Sequence, residues 1–127
     1  MPEYFVSLVK QYGNLLSTKQ AKEVILEISE GLELTLPNDT AKILFGYAPD
    51  YIIRNKPRFL LSRRQNNHNY NHTTLLSRLK IEQSLTDNTE VENRLKAYFA
   101  AIKIVVGNKK YAGIYSVLPG ELKIIAT

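Results

Sequence analysis

At 127 residues, with 44% hydrophobic side chains and no cysteine, the chain has the size and apolar content of one folded domain, and disulfides, thiolate nucleophiles and thiolate metal sites are excluded. No segment joins a basic start to an apolar run of signal-peptide length, and none approaches the roughly 20 apolar residues of a membrane helix, so the expectation is a soluble, cytoplasmic protein without membrane insertion. The net charge of +5 is unevenly spread: residues 1–50 carry four basic and seven acidic side chains, residues 51–81 seven basic and no acidic ones, and residues 82–127 six basic and five acidic ones.

In chain order, Pro2 suits a first helical turn, where its missing N–H costs nothing, and Phe5, Leu8, Val9 and Tyr12 follow at helical spacing until Gly13-Asn14. Ser17-Thr18-Lys19-Gln20 has the form of a capping box. The helix it opens places Ala21, Val24, Ile25, Ile28 and Leu32 on one stripe, with Glu23, Glu27 and Glu30 turned away from it as a solvated, salt-bridged surface near Lys19 and Lys22. Pro37-Asn38 opens a helix with Ala41, Leu44, Phe45 and Ala48 inward, and Pro49 starts a short turn through Tyr51, Ile52 and Ile53.

Residues 54–72 differ in kind. They hold Pro57, the tandem Arg63-Arg64, and the run Gln65-Asn66-Asn67-His68-Asn69-Tyr70-Asn71-His72; asparagine bonds its own backbone in competition with helix, so the segment reads as a basic, Asn-rich connector. Phe59, Leu60 and Leu61 interrupt it, either as an anchor to the core or as one helical turn. Helical pattern resumes with Thr73 or Thr74 as N-cap and Leu75, Leu76 and Leu79 inward. Asp87-Asn88-Thr89-Glu90 is a second capping box, leading a long helix with Val91, Leu95, Tyr98, Phe99, Ile102 and Val106 inward. After Gly107-Asn108, Tyr111, Ile114, Tyr115 and Leu118 line a shorter helix, and Pro119 opens a last turn with Leu122 and Ile125. Residues 102–117 are rich in β-branched and aromatic side chains, so a hairpin turning at Gly107–Lys110 is the competing reading there.

The pattern repeats. With Phe5–Pro57 laid over Leu75–Thr127 without a gap, Ser7 meets Ser77, Lys10 meets Lys80, Leu15 meets Leu85, Asn38 meets Asn108 and Pro49 meets Pro119. Sixteen positions are apolar in both copies, against about twelve expected from composition, and the order of turns and breaks is shared. The expected fold is therefore all-α: a single domain over 1–127, in which two similar three-helix units, 2–53 and 73–127, pack into one helical bundle and are joined by the connector 54–72.

The plan resembles a bacterial family known as domain of unknown function 2267, whose members carry two helical units, each with a long amphipathic helix, a shorter one and a Leu-Pro step. The residues that carry the resemblance are Val117-Leu118-Pro119-Gly120-Glu121-Leu122 and, in a weaker form, Tyr47-Ala48-Pro49-Asp50-Tyr51-Ile52. Val117 and Tyr47 stand where that family has Gln. The resemblance implies a helical fold and supplies no catalytic residues.

Among chemical candidates, His68 and His72 lie four apart, a metal-ligand spacing on a helix, but they fall in the connector with no Cys, Asp or Glu beside them, so no metal and no cofactor is expected. No nucleophile elbow, P-loop or dinucleotide fingerprint occurs, and the reading is of a non-enzymatic helical interaction module whose partner is another protein or a second copy, with an enzyme or metal protein the least supported class. The alternative is a nucleic-acid-binding protein that contacts phosphates through Arg54, Lys56, Arg58, Arg63 and Arg64, with Arg78 and Lys80 nearby and Tyr70 available to stack on a base. The competing reading of this block is a solubilising linker that balances the acidic first unit.

Overall fold

The computed structural model describes residues 2–55 and 70–127. Within them the chain forms eight helices and no strands: α1 (Pro2–Tyr12), α2 (Thr18–Thr35), α3 (Asn38–Tyr47), α4 (Asp50–Asn55), α5 (His72–Glu82), α6 (Asn88–Val106), α7 (Asn108–Val117) and α8 (Gly120–Ala126). The architecture is an all-α bundle. Each half holds four helices, because the short turns after Pro49 and Pro119 are helices in their own right. The helix starts recur at a spacing of seventy residues, at 2 and 72, 18 and 88, 38 and 108, 50 and 120. No hairpin forms over 102–117: Gly107, at φ 89°, turns the chain from α6 into α7, and burial of Ile102 and Ile114 on the bundle outweighs a small loss in helix propensity, while Ile104 and Val105 stay exposed on the helix.

Local chemistry explains the boundaries. α1 ends in a Schellman motif in which Leu15 N–H reaches Lys10 C=O (3.0 Å) and Asn14 N–H reaches Gln11 C=O (3.3 Å). The left-handed residue there is Asn14, at φ 54°, not Gly13. Seventy residues on, Leu85 and Ser84 make the same bonds to Lys80 and Ile81, with Ser84 at φ 55°. At the start of α2, Ser17 Oγ accepts from Gln20 N–H (3.1 Å) and Gln20 Oε1 accepts from Leu16 N–H (2.7 Å), so the box closes one residue earlier than its usual form. Asp87 caps α6 through Thr89 N–H (2.8 Å). The cap of α5 is Asn71, which accepts from Thr74 N–H (3.0 Å), rather than Thr73 or Thr74; the asparagine that argues for a loop is the residue that starts the helix.

The halves interlock. α1 lies along α6 as well as on α2, while α5 lies on α2 as well as on α6; α3 meets α7, and α2 meets α6. Each half thus lends its first helix to the long helix of the other. Eleven of the sixteen positions that are apolar in both copies are buried in both, among them Val9 and Leu79, Ile25 and Leu95, Leu32 and Ile102, and Leu44 and Ile114. Where α5 crosses α2, Gly31 lets the backbones approach, and a Cβ there would come within 2.9 Å of Leu75 Cδ1. In the core a hydrogen bond crosses between the halves, joining Ser29 Oγ to the hydroxyl of fully buried Tyr98 (2.9 Å). Tyr98 also meets Phe5 and Phe99 edge-on, at ring separations of 6.2 and 5.4 Å. No helix among the described residues is long and apolar enough to cross a membrane.

Candidate functional site

Of the basic set named from sequence, Lys56, Arg58, Arg63 and Arg64 lie outside the described residues, as do His68 and Phe59–Leu61; Arg54 lies in α4, with its side chain outside the description. Of the members whose side chains are described, Arg78 is not a free cation. Arg78 turns to its own helix and to α2, with Nη2 3.1 Å from Glu82 Oε2 and 3.8 Å from Glu30 Oε2. Lys80 stands in the last turn of α5, half-buried. Tyr70 is not a free stacking platform either. It is half-buried against the core, and its hydroxyl bonds His72 Nδ1 at 2.8 Å. Burial, and the nearby Glu121 carboxylate, push its phenol pKa up.

A different cluster emerges where the end of α5 meets α2 and α6. The carboxylates of Glu23, Glu27 and Glu82, with Gln20, Gln83 and Arg94, line a cleft of about 140 Å³. This corrects the expectation that Glu23, Glu27 and Glu30 form a solvated face: Glu27 and Glu30 are half-buried, because α2 carries α1 on one side and α5 on the other and only a narrow arc of it reaches solvent. The positive groups come from α5 and α6: Arg78 pairs with Glu30 and Glu82, and Arg94 lines the cleft. Arg94 Nη1 donates to Gln83 Oε1 at 2.9 Å, while Glu82 Oε1, Gln83 Nε2 and Arg78 Nε are buried without a hydrogen-bond partner among the described residues. Burial first, then the negative charges of Glu82 and Glu23, raise the Glu27 pKa to about 7, against a lowering pull from Arg94. Burial likewise raises Glu82, partly offset by Arg78.

An equivalent cleft lies where the end of α1 meets α6, lined by Tyr12, Gly13, Asn14, Glu90, Asn93 and Lys96 over a floor of Ala97 and Ala100. In register, Tyr12 answers to Glu82, Gly13 to Gln83, Asn93 to Glu23 and Ala97 to Glu27. Uncharged residues thus replace the three carboxylates, Gly13 and Ala97 are small, and the space grows to about 510 Å³. Tyr12, which helical spacing places inward, is 47% exposed at its edge. Arg94 lines both clefts. The sequence reading missed this pair of clefts; the signal was the seventy-residue register itself, applied to the polar positions as well as the apolar ones.

Comparison with family models, with curated proteins and with solved structures finds no match to the chain.

Proposed function

We propose that the chain is a helical interaction module without catalytic chemistry of its own, which receives a protein partner in the open cleft at the α1–α6 junction. The resemblance to the two-unit bacterial family is kept as part of this reading and bears on the fold alone. The observation that carries the proposal is the difference between equivalent clefts. The fold fills the α2–α5 cleft with its own carboxylates and amides, but leaves about 510 Å³ open at α1–α6, with Tyr12, Glu90, Asn93 and Lys96 around it. Tyr12 and Arg94 are of the types enriched at protein-binding surfaces, and so polar and open a cleft is unlike the mostly apolar lining of a small-molecule pocket. Photo-cross-linking in cells tests it. A photoreactive residue at Asn93 or Lys96 is expected to give a discrete heavier species, which the same residue at Lys19 on α2 does not give; equal, diffuse cross-linking at all three positions would sink the reading.

A second reading is favoured by charge: residues 51–81 carry seven basic side chains and no acidic one. With Arg78 committed to Glu30 and Glu82, the charge available to phosphates concentrates in Arg54, Lys56, Arg58, Arg63 and Arg64. Fluorescence anisotropy with mixed-sequence DNA and RNA at about 50 and 200 mM salt separates the two readings, because several phosphate contacts cost orders of magnitude in affinity over that range. Tight binding that collapses at the higher salt and is lost when those five residues become Ser would make the connector the functional surface.

A further inference from the structure

A second place where the halves diverge is the groove between α2 and α4. Ile25, Leu26, Tyr51 and Ile52 line it, with Lys22 beside them, and it encloses about 190 Å³. Its surface is mostly apolar, and Leu26 is 37% exposed. Ser29 also reaches the groove, and its hydroxyl is the one bonded to Tyr98.

Seventy residues further on, Lys22 is replaced by Glu92, Ile25 by Leu95, Leu26 by Lys96, Tyr51 by Glu121 and Ile52 by Leu122. At that location the chain supplies an aromatic ring of its own. Tyr70 packs against the core, with its ring 5.9 Å from that of His72 and its hydroxyl on His72 Nδ1. The other nitrogen of His72 lies 3.8 Å from Glu92, and Glu121 is close enough to bear on the Tyr70 hydroxyl. Tyr70 is therefore grouped with Glu92 and Glu121, the counterparts of the groove residues Lys22 and Tyr51.

We infer that the α2–α4 groove receives a tyrosine side chain presented by an extended segment of a protein partner, as the α6–α8 side receives Tyr70. The inference deepens the interaction-module reading and rests on it. The occupant follows from the chain's own use of a phenol on the matching side: a phenol is flat enough to lie between Leu26 and Tyr51, and Lys22, which lines the groove, is a donor for its hydroxyl. Aromatic anchors in apolar pockets carry much of the energy of protein interfaces, at a low cost in side-chain entropy.

The experiment is a methyl-NMR titration with p-cresol, the side-chain analogue of tyrosine, followed by a nine-residue peptide copying Asn66–Thr74. Saturable shifts are expected at Ile25, Leu26 and Ile52, with a dissociation constant of about 1 mM for p-cresol, as suits a ligand of so few atoms. Leu26→Trp, which fills the groove from a half-exposed position, is expected to weaken binding at least tenfold. Tyr51→Ala, which removes a wall, is the second variant should Leu26→Trp fail to fold. Shifts that do not saturate, that spread evenly over apolar positions elsewhere, or that survive in a folded variant would overturn the inference. Such a failure would leave the cross-links at Asn93 and Lys96 untouched, so it is distinguishable from failure of the interaction-module reading.

Discussion

The cleft at the end of α5 and the cleft at the end of α1 occupy matching places in the two halves, and they are finished in opposite ways. In the first, Glu82 and Gln83 reach toward Glu27 and Arg94, and the space shrinks to about 140 Å³; in the second, Tyr12 and Gly13 stand at those positions over Ala97, and about 510 Å³ stays open. Both sit on the same Schellman turn and the same crossing of a first helix over a long one. The backbone plan therefore tolerates either finish, and the side chains at these places are not dictated by the fold. Positions that the plan leaves free are where a binding role can be read, whereas the paired core positions report only on packing.

The comparison presumes that the halves form one cooperative unit, and its severest test is in the core. Leu79 and Val9 hold matching places, each seating a first helix on the opposite long helix. Leu79→Ala should cost about 3 kcal/mol and Val9→Ala about 2 kcal/mol. In each variant, denaturation followed by far-UV circular dichroism should show a single transition; a separate early transition confined to the mutated half would break the interlocked picture.

Next in size is the buried pair that links the long helices. Ser29→Ala strands the Tyr98 hydroxyl in the core and should cost about 1–2 kcal/mol, whereas adding Tyr98→Phe should return part of that loss. In register, Ser29 and Tyr98 answer to Phe99 and Ile28, so the double variant makes these four positions of α2 and α6 wholly apolar. A double variant less stable than Ser29→Ala alone would show that the hydroxyl of Tyr98 has a further partner.

The filled cleft should carry a pH signature that the open one lacks. The folded-state pKa of Glu27, about 7, lies above its ordinary value of 4.5, so the fold favours its protonated form. The cost of ionising it is absent below pH 4.5, grows between 4.5 and 7, and is fully present above 7. Because Glu27 is only half-buried, screening trims that cost to about 1 kcal/mol. Glu27→Gln should therefore be more stable than the wild type at pH 8 and indistinguishable from it at pH 4; urea melts at both values check this. Ala97→Gln, in the open cleft, should show no such crossover.

The smallest effects belong to the two left-handed turn residues. Ser84→Gly should gain about 0.5 kcal/mol by relieving a positive φ that serine tolerates poorly, and Asn14→Gly should change stability by no more than a few tenths, since asparagine accepts that region more readily. Equal gains at both sites would show that the two turns are not strained differently.

How far these features were legible in the sequence depends on the physics behind each. Apolar spacing placed the helices well, because burial on a bundle demands a stripe every three to four residues. It misjudged Glu27 and Glu30, because a stripe locates one buried face and α2 has neighbours on two sides. It took Asn71 for loop, because the same side-chain oxygen that disrupts a helix interior caps a helix start. It ended α1 at Gly13-Asn14 without telling which of the two turns the chain; the residue with positive φ is Asn14, a distinction that rests on backbone geometry and not on composition. Arg78 was grouped with the basic connector by its place along the chain, but an ion pair answers to distance in space, and the nearest carboxylates were on α2 and one turn away on α5.

The exchange of first helices between the halves has a consequence for how the molecule is held together. A two-part assembly of this kind is ordinarily bimolecular, with a stability that rises with concentration. Here the covalent chain between the halves makes the meeting of partners intramolecular and replaces bulk concentration with a fixed effective one, set by the length of chain that joins them. A cut within residues 54–72 would therefore leave two fragments able to find each other, with a melting temperature that climbs as they are concentrated.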